Sequence, residues 1–130
     1  MLTELRTAIK TDLEAGDGKP VGFRAFEYVG ESLSPPCAAI VPAEPYVRPP
    51  SRDEAIPFGQ VKVGIDVLLL SASADAATAA AATDELIEFA WRALDRNHDI
   101  RSVSRPGVVT VSGSKFIGSV LSIERTTEEP

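Results

Sequence analysis

The chain has 130 residues, and its 13 basic and 19 acidic side chains give a formal net charge of −6. This length supports one hydrophobic core but not two, so we expect a single domain over residues 1–130. The Lys and Arg residues are scattered among acidic neighbours. Binding to a nucleic-acid backbone requires clustered basic residues, so we expect no sequence-specific nucleic-acid binding.

The sequence also gives expectations about cellular location and the state of the thiol. No apolar run approaches the ~20 residues of a membrane span, so we expect no membrane partner. The first residues lack the apolar segment of a signal peptide, and synthesis in the cytoplasm is expected. Cys37 is the single cysteine and lies in the apolar run Cys37–Val41. A buried, inert thiol is therefore predicted in preference to a reactive one.

The first part of the chain predicts one helix and two strands. Apolar residues recur every three or four positions over Met1–Ala15, which indicates a helix that ends at Gly16–Pro20. Val21–Val29 has the aromatic and β-branched content of a strand. Cys37–Val41 is apolar throughout, as in a short strand that is buried on both faces.

Residues 42–57 contain five prolines in sixteen positions, which argues against a regular helix or a central strand. Long loops in compact domains are commonly functional or disordered. Two interpretations stay open, a solvated mobile loop and an arm that becomes ordered on a partner. The partner residues predicted for such an arm are Tyr46, Val47, Arg48 and Arg52, since Tyr and Arg are frequent interface anchors.

The stretch from Phe58 to Leu70 is the clearest strand in the chain. Its apolar residues alternate with polar or small ones, which is typical of a strand with one buried face. The residues on the predicted core face are Val61, Val63, Ile65, Val67 and Leu69.

A long helix is predicted over residues 73–95, with Ser71 or Ser73 at its N-terminal cap. Its apolar arc spans roughly 200°, against the ~100° that packing on one sheet requires. Phe89 and Trp91 lie at the two margins of this arc. Either the whole arc serves the core, or its margins also contact a second subunit, so both residues are candidate interface positions.

A short strand is predicted over Ile100–Val103, and further strands over Val108–Val111 and Phe116–Arg125. A hairpin turn is predicted at Ser112–Ser114 and a frayed tail after Arg125. The resulting expectation is an α+β fold. It is a two-layer sandwich in which a mixed or antiparallel sheet of about four to five strands packs against two helices.

No motif predicts catalysis, a cofactor or a metal. Asp95–Asp99 begins like a calcium loop, but Ile100 stands where Gly is required and Pro106 where Glu is required. A helix C-terminus with a polar turn explains this stretch better. One His and one distant Cys do not supply the three or four ligands of a zinc site. We therefore expect a protein that is not an enzyme.

The order of elements, the run PPCAAIVP at Pro35–Pro42 and the nearby Tyr46-Val47 together resemble the tail terminator proteins of long-tailed bacteriophages, especially those of actinobacterial phages. The resemblance covers nearly the whole chain as architecture, although the five-proline loop departs from it. It implies no catalytic residues. It implies a minor tail protein of the virion that forms a homo-hexameric ring.

In that family the ring caps the tail tube, stops tail elongation and forms the joint to the head connector. The implied partners are a second copy of the chain, the tail tube protein and a head–tail connector or head-completion protein, and the implied location is the tail or neck of the virion. Two alternatives stay open. One is another head–tail joining ring protein of the neck, and the other is a monomeric ligand-binding α+β domain.

Overall fold

The computed structural model describes residues 2–27, 33–49, 59–73 and 79–128. Two helices and a six-stranded mixed sheet confirm the α+β class. The sheet has six strands where the sequence predicts about four to five. In chain order the elements are α1 (Leu2–Glu14), β1 (Arg24–Phe26), β2 (Cys37–Arg48), β3 (Gln60–Ser73), α2 (Ala79–Leu94), β4 (Asp99–Val103), β5 (Gly107–Val111) and β6 (Ser114–Glu128).

The strand order is β1-β2-β3-β6-β4, and β5 also pairs with β6. The β1–β2 pair is parallel and the other pairs are antiparallel. β4 and β5 pair in succession along one side of β6, with β4 opposite residues 121–124 and β5 opposite residues 114–118. β3 and β6 are therefore the inner strands, and β1, β4 and β5 are outer strands.

The main core lies on one face of the sheet. The alternation predicted for β3 is confirmed, because the five residues assigned to the core face are all buried. Both helices contribute apolar side chains to the same cluster, α1 at intervals of four and α2 along its predicted arc. The helical members of the cluster are Leu5, Ile9, Leu13, Leu86, Phe89, Ala90 and Leu94.

A smaller apolar cluster includes residues of β3 and β6 whose side chains point away from the main core. Its buried members are Cys37, Leu70, Val111 and Phe116. The Cys37 side chain is fully buried, which confirms the prediction of a buried thiol. The second face of the sheet is therefore partly apolar at this end.

The prediction of a loop from residue 42 onward is wrong for its first seven residues. β2 continues through Pro42 and Pro45 to Arg48. β1 pairs only with Cys37–Ala39, so among the described residues the later part of β2 has a strand neighbour on one side alone. An edge position tolerates proline because no outer partner requires its missing N–H. Residues 50–58 lie outside the described part of the chain.

Three other boundaries differ from prediction. β1 is Arg24–Phe26 and begins after Val21, which is 97% exposed in a turn, and residues 28–29 of the predicted strand lie outside the described part of the chain. β3 continues to Ser73, which pairs with Phe116, so the strand reaches the predicted helix start, and α2 is described from Ala79. The predicted frayed tail is instead strand as far as Glu128, because residues 126–128 pair with residues 60–62 of β3.

Replacing Leu86 by Ala tests the assignment of the helix face. Leu86 is 1% exposed within the core, so Leu86→Ala should lower the free energy of unfolding by about 2–5 kcal/mol through lost contacts and a residual cavity. Chemical denaturation measures the change. The exposed Glu88 on the same helix provides a matched control, and Glu88→Ala should change stability by less than about 0.5 kcal/mol. Equal stability of the two variants would contradict the packing.

Candidate functional site

The structure disperses the residues that the sequence predicts for an interface. Tyr46, Val47 and Arg48 end β2, whereas Phe89 and Trp91 lie on α2. The sixth, Arg52, lies outside the described residues. Only the three on β2 are neighbours, so the predicted set does not form one continuous surface.

The second half of β2 contains a large bulge that folds over Gly64. Pro42 pairs with Ile65 and Val47 pairs with Val63, so four residues of β2 span the position of one residue of β3. A Cβ atom on Gly64 would lie 3.1 Å from the carbonyl oxygen of Pro45 and close to the Ala43 side chain. Glycine at position 64 therefore permits the close approach of the two strands.

This bulge forms one wall of a cavity of about 330 Å³, called here the charged cavity, on the sheet face opposite the helices. Three basic and three acidic residues line it together with small or apolar ones. The charged lining residues are Glu44, Arg48, Lys62, Asp66, Arg101 and Glu124. Because the formal charges balance, the charged cavity suits a polar protein surface better than a highly charged ligand.

Glu124 of β6 holds the two arginines of the charged cavity together. Its Oε2 lies 3.2 Å from Arg48 Nη2, and its Oε1 lies 3.7 Å from Arg101 Nε. Nearby, the Ser122 hydroxyl donates to Asp66 Oδ1 over 3.0 Å. Arg48 thus pairs with a carboxylate of its own chain, and this internal pair orients the guanidinium.

Tyr46 packs against the main core and is only partly exposed. Its hydroxyl oxygen is buried and has no hydrogen-bond partner among the described residues. The ring therefore anchors the bulge to the core, and Val47 is the exposed member of the three predicted residues on β2.

Phe89 belongs to the core and provides almost no surface. Its side chain is 2% exposed, and its ring meets Phe23 edge to face with 5.2 Å between the centroids. Gly16 also lies against it, since a Cβ there would be 2.9 Å from Phe89 Cε1. The prediction of Phe89 as an interface residue is therefore wrong for the folded subunit, because this margin of the arc packs on Phe23, just before β1, and on the turn after α1.

Trp91 is 44% exposed on the other margin of α2. It borders an open groove, called here the Trp91 groove, between α2 and the turn after α1. The other lining residues include acidic and basic side chains, namely Asp12, Asp17, Arg92, Asp95 and Arg96. A half-exposed indole surrounded by charges has the composition of a protein–protein contact.

His98 and Asp12 join the ends of the two helices. His98 Nε2 lies 2.8 Å from Asp12 Oδ2, and the His98 side chain is only 3% exposed. The Asn97 amide donates to the same carboxylate oxygen. The Asp95–Asp99 stretch is a helix C-terminus followed by a turn, as predicted, and His98 N bonds to the Leu94 carbonyl. No group of three potential metal ligands occurs within the described ranges.

Local sequence patterns do not reveal the charged cavity. The alternation of β3 placed Lys62 and Asp66 on the face away from the core, but it did not show which residues of β6 and β4 lie beside them. That depends on the pairing of Asp66 with Ser122 and of Asp99 with Glu124.

No protein-family model and no curated protein matches this chain. Neither α1 nor the described part of α2 is long and apolar enough to cross a membrane.

Burial of Cys37 predicts a dependence of stability on pH. Desolvation raises the pKa of the Cys37 thiol from 9.0 to about 11. The unfolded chain loses this proton first, so the contribution is fully present below pH 9 and is lost as pH rises toward 11. Between pH 8 and 10.5, wild type should lose about 2 kcal/mol more unfolding free energy than Cys37→Ala.

Urea unfolding of both proteins in a reducing buffer measures this difference. Other groups that titrate in the same range are common to the two proteins and cancel. A difference between wild type and Cys37→Ala that does not change with pH would contradict the burial of an un-ionised thiol.

Proposed function

We propose that the chain is a structural virion protein, the tail terminator of a long-tailed bacteriophage. It forms a homo-hexameric ring that caps the tail tube, stops its elongation and joins it to the head connector. The proposal rests on the resemblance of the element order and of Pro35–Pro42 to that family. The same proposal includes a two-layer architecture, in which the two helices form one layer and the sheet forms the other.

The observation that supports ring formation best is the presence of two unlike polar surfaces with aromatic or arginine anchors. The Trp91 groove lies on the helical side, and the charged cavity lies on the sheet face opposite the helices. A closed ring requires a heterologous contact, in which each subunit presents two different patches. We infer that these two surfaces serve as the ring contacts, with Trp91 as the aromatic anchor and Arg48 as the charged one.

Charge supports the same arrangement. Each copy has a net charge of −6, so neighbouring subunits repel unless basic groups lie at the contact. Arg92 and Arg96 at the Trp91 groove can offset this repulsion, whereas Arg48 and Arg101 of the charged cavity already pair with Glu124.

A second candidate function is another head–tail joining ring of the neck. It would use the same two surfaces, and immunogold labelling of purified virions separates the two roles. Label at the tail end of the joint supports the terminator, and label at the portal side supports the connector. The monomeric ligand-binding domain remains as the outcome in which no ring forms.

Light scattering tests the ring directly. At high protein concentration the wild-type chain should reach six times its 13.8 kDa subunit mass, or twelve times where two rings associate. Trp91→Ala should weaken assembly by at least about tenfold in the concentration required, since interface Trp residues often contribute 2 kcal/mol or more. The unfolding midpoint of Trp91→Ala should stay near that of wild type, because the indole is half exposed.

Val21→Ala is the matched control, since Val21 is exposed and lies outside both surfaces. It should assemble as wild type does. A subunit mass at every concentration, with no six-fold ring in electron micrographs, would reject the proposal.

A further inference from the structure

The outer edge of β5 is exposed backbone with uncharged side chains. β5 reads GVVTV, and Val108 is 62% exposed. β6 is its one strand neighbour among the described residues, and no side chain of these residues bonds to its outer edge. An edge of this composition is a template for strand addition.

The turn after β5 determines which of its backbone groups face outward. Ser112 and Gly113 have φ values of 49° and 82°, the pattern of a two-residue type I′ hairpin turn, as the sequence predicts. Val111 and Ser114 flank such a turn as a hydrogen-bonded pair. Hydrogen-bonded pairs alternate along the ladder, so Val109 also bonds to β6. The N–H and C=O groups of Val108 and Thr110 therefore point away from β6.

The other outer strands are protected. The backbone N–H of Ala25 in β1 donates to Glu14 Oε1 over 3.4 Å. The outer edge of β2 beyond β1 contains Pro42 and Pro45, which cannot donate.

β4 has a register shift after Ile100 and the ion pair between Asp99 and Arg101. Charges, prolines and bulges are the usual protection of sheet edges. β5 has none of these features.

We propose that β5 pairs antiparallel with β5 of a second copy of this chain, about a two-fold axis at Val109. The outward N–H and C=O groups of Val108 and Thr110 are spaced to match this register. Val108 of one copy and Thr110 of the other form a hydrogen-bonded pair, and the reciprocal pair follows by symmetry, so that four backbone hydrogen bonds form. Val109 then lies opposite Val109 of the second copy.

The side chains agree with the same register. Val109 packs on the smaller apolar cluster around Leu70 and Phe116. In the two-fold pair, the two copies of this cluster lie on the same side of one continuous sheet and meet through the two Val109 side chains. On the other side the exposed Val108 packs on Thr110 of the second copy. No like charges face each other along the strand, which matters for a chain of net charge −6.

This two-fold contact is independent of the ring. It uses neither the Trp91 groove nor the charged cavity, and a two-fold contact does not by itself generate a six-membered ring. It joins free subunits into dimers, and in a ring-forming chain it joins two rings.

Cross-linking tests the register. Non-hydrogen-bonded residues that face each other have Cα atoms about 4.5 Å apart, which is within disulfide range. In a Cys37→Ala background, Val109→Cys should form an intermolecular disulfide at least tenfold faster than Val21→Cys, whose position is more exposed but outside the sheet. Equal rates for the two variants would overturn the proposal.

Sedimentation equilibrium tests the edge itself. Val108→Lys adds charge to the strand, and Thr110→Pro removes an outward N–H that β6 does not use. Each should raise the dimer dissociation constant at least tenfold. Trp91→Ala should leave it unchanged, so failure of the ring and failure of this contact are distinguishable. A chain that stays monomeric at millimolar concentration, or variants that dimerise as wild type does, would reject β5 pairing, and circular dichroism verifies that each variant is folded.

Discussion

The antiparallel pairing of β3 with β6 is the constraint on which the other elements depend. The ladder extends from Gln60 opposite Glu128 to Ser73 opposite Phe116, with one register shift near its end. It places alternate residues of both strands on one face, where the two helices cover them. Because side chains alternate with a period of two, this register also determines which polar residues meet on the second face. A shift by one residue would bury Lys62 and Asp66 in the core.

The second face therefore differs from one end to the other. Near the β5–β6 hairpin it is apolar, around Leu70 and Phe116, and near the end of β2 it becomes the charged cavity. Gly64 is important here, since its missing side chain lets the bulge of β2 fold over β3. The bulge, the ion pair of Arg48 with Glu124 and the packing of Tyr46 on the core together shape this surface.

The chain thus has surfaces suited to protein contacts, and its single thiol is buried and un-ionised at neutral pH. A subunit of an assembly needs such surfaces more than it needs a reactive group. The proposed terminator ring would use the Trp91 groove and the charged cavity, while the proposed pairing at the uncharged edge of β5 would form a contact of different symmetry. The two kinds of contact do not compete for the same residues.

The sequence by itself determined the α+β class, the core face of β3, the buried Cys37 and the hairpin turn at Ser112–Gly113. Each of these follows from local spacing, apolar content or turn chemistry, which neighbouring residues encode. Only the tertiary structure decided that β2 continues through two prolines, since this depends on β1 ending at Phe26. The tertiary structure also decided that Phe89 belongs to the core and Trp91 to the surface. Phe89 is buried because Phe23 and Gly16 pack beside α2, and these residues are distant from Phe89 in the chain. The charged cavity also depends on contacts between distant residues. The pairing of β3, β6 and β4 brings Asp66, Arg101 and Glu124 together, and no local sequence pattern predicts that pairing.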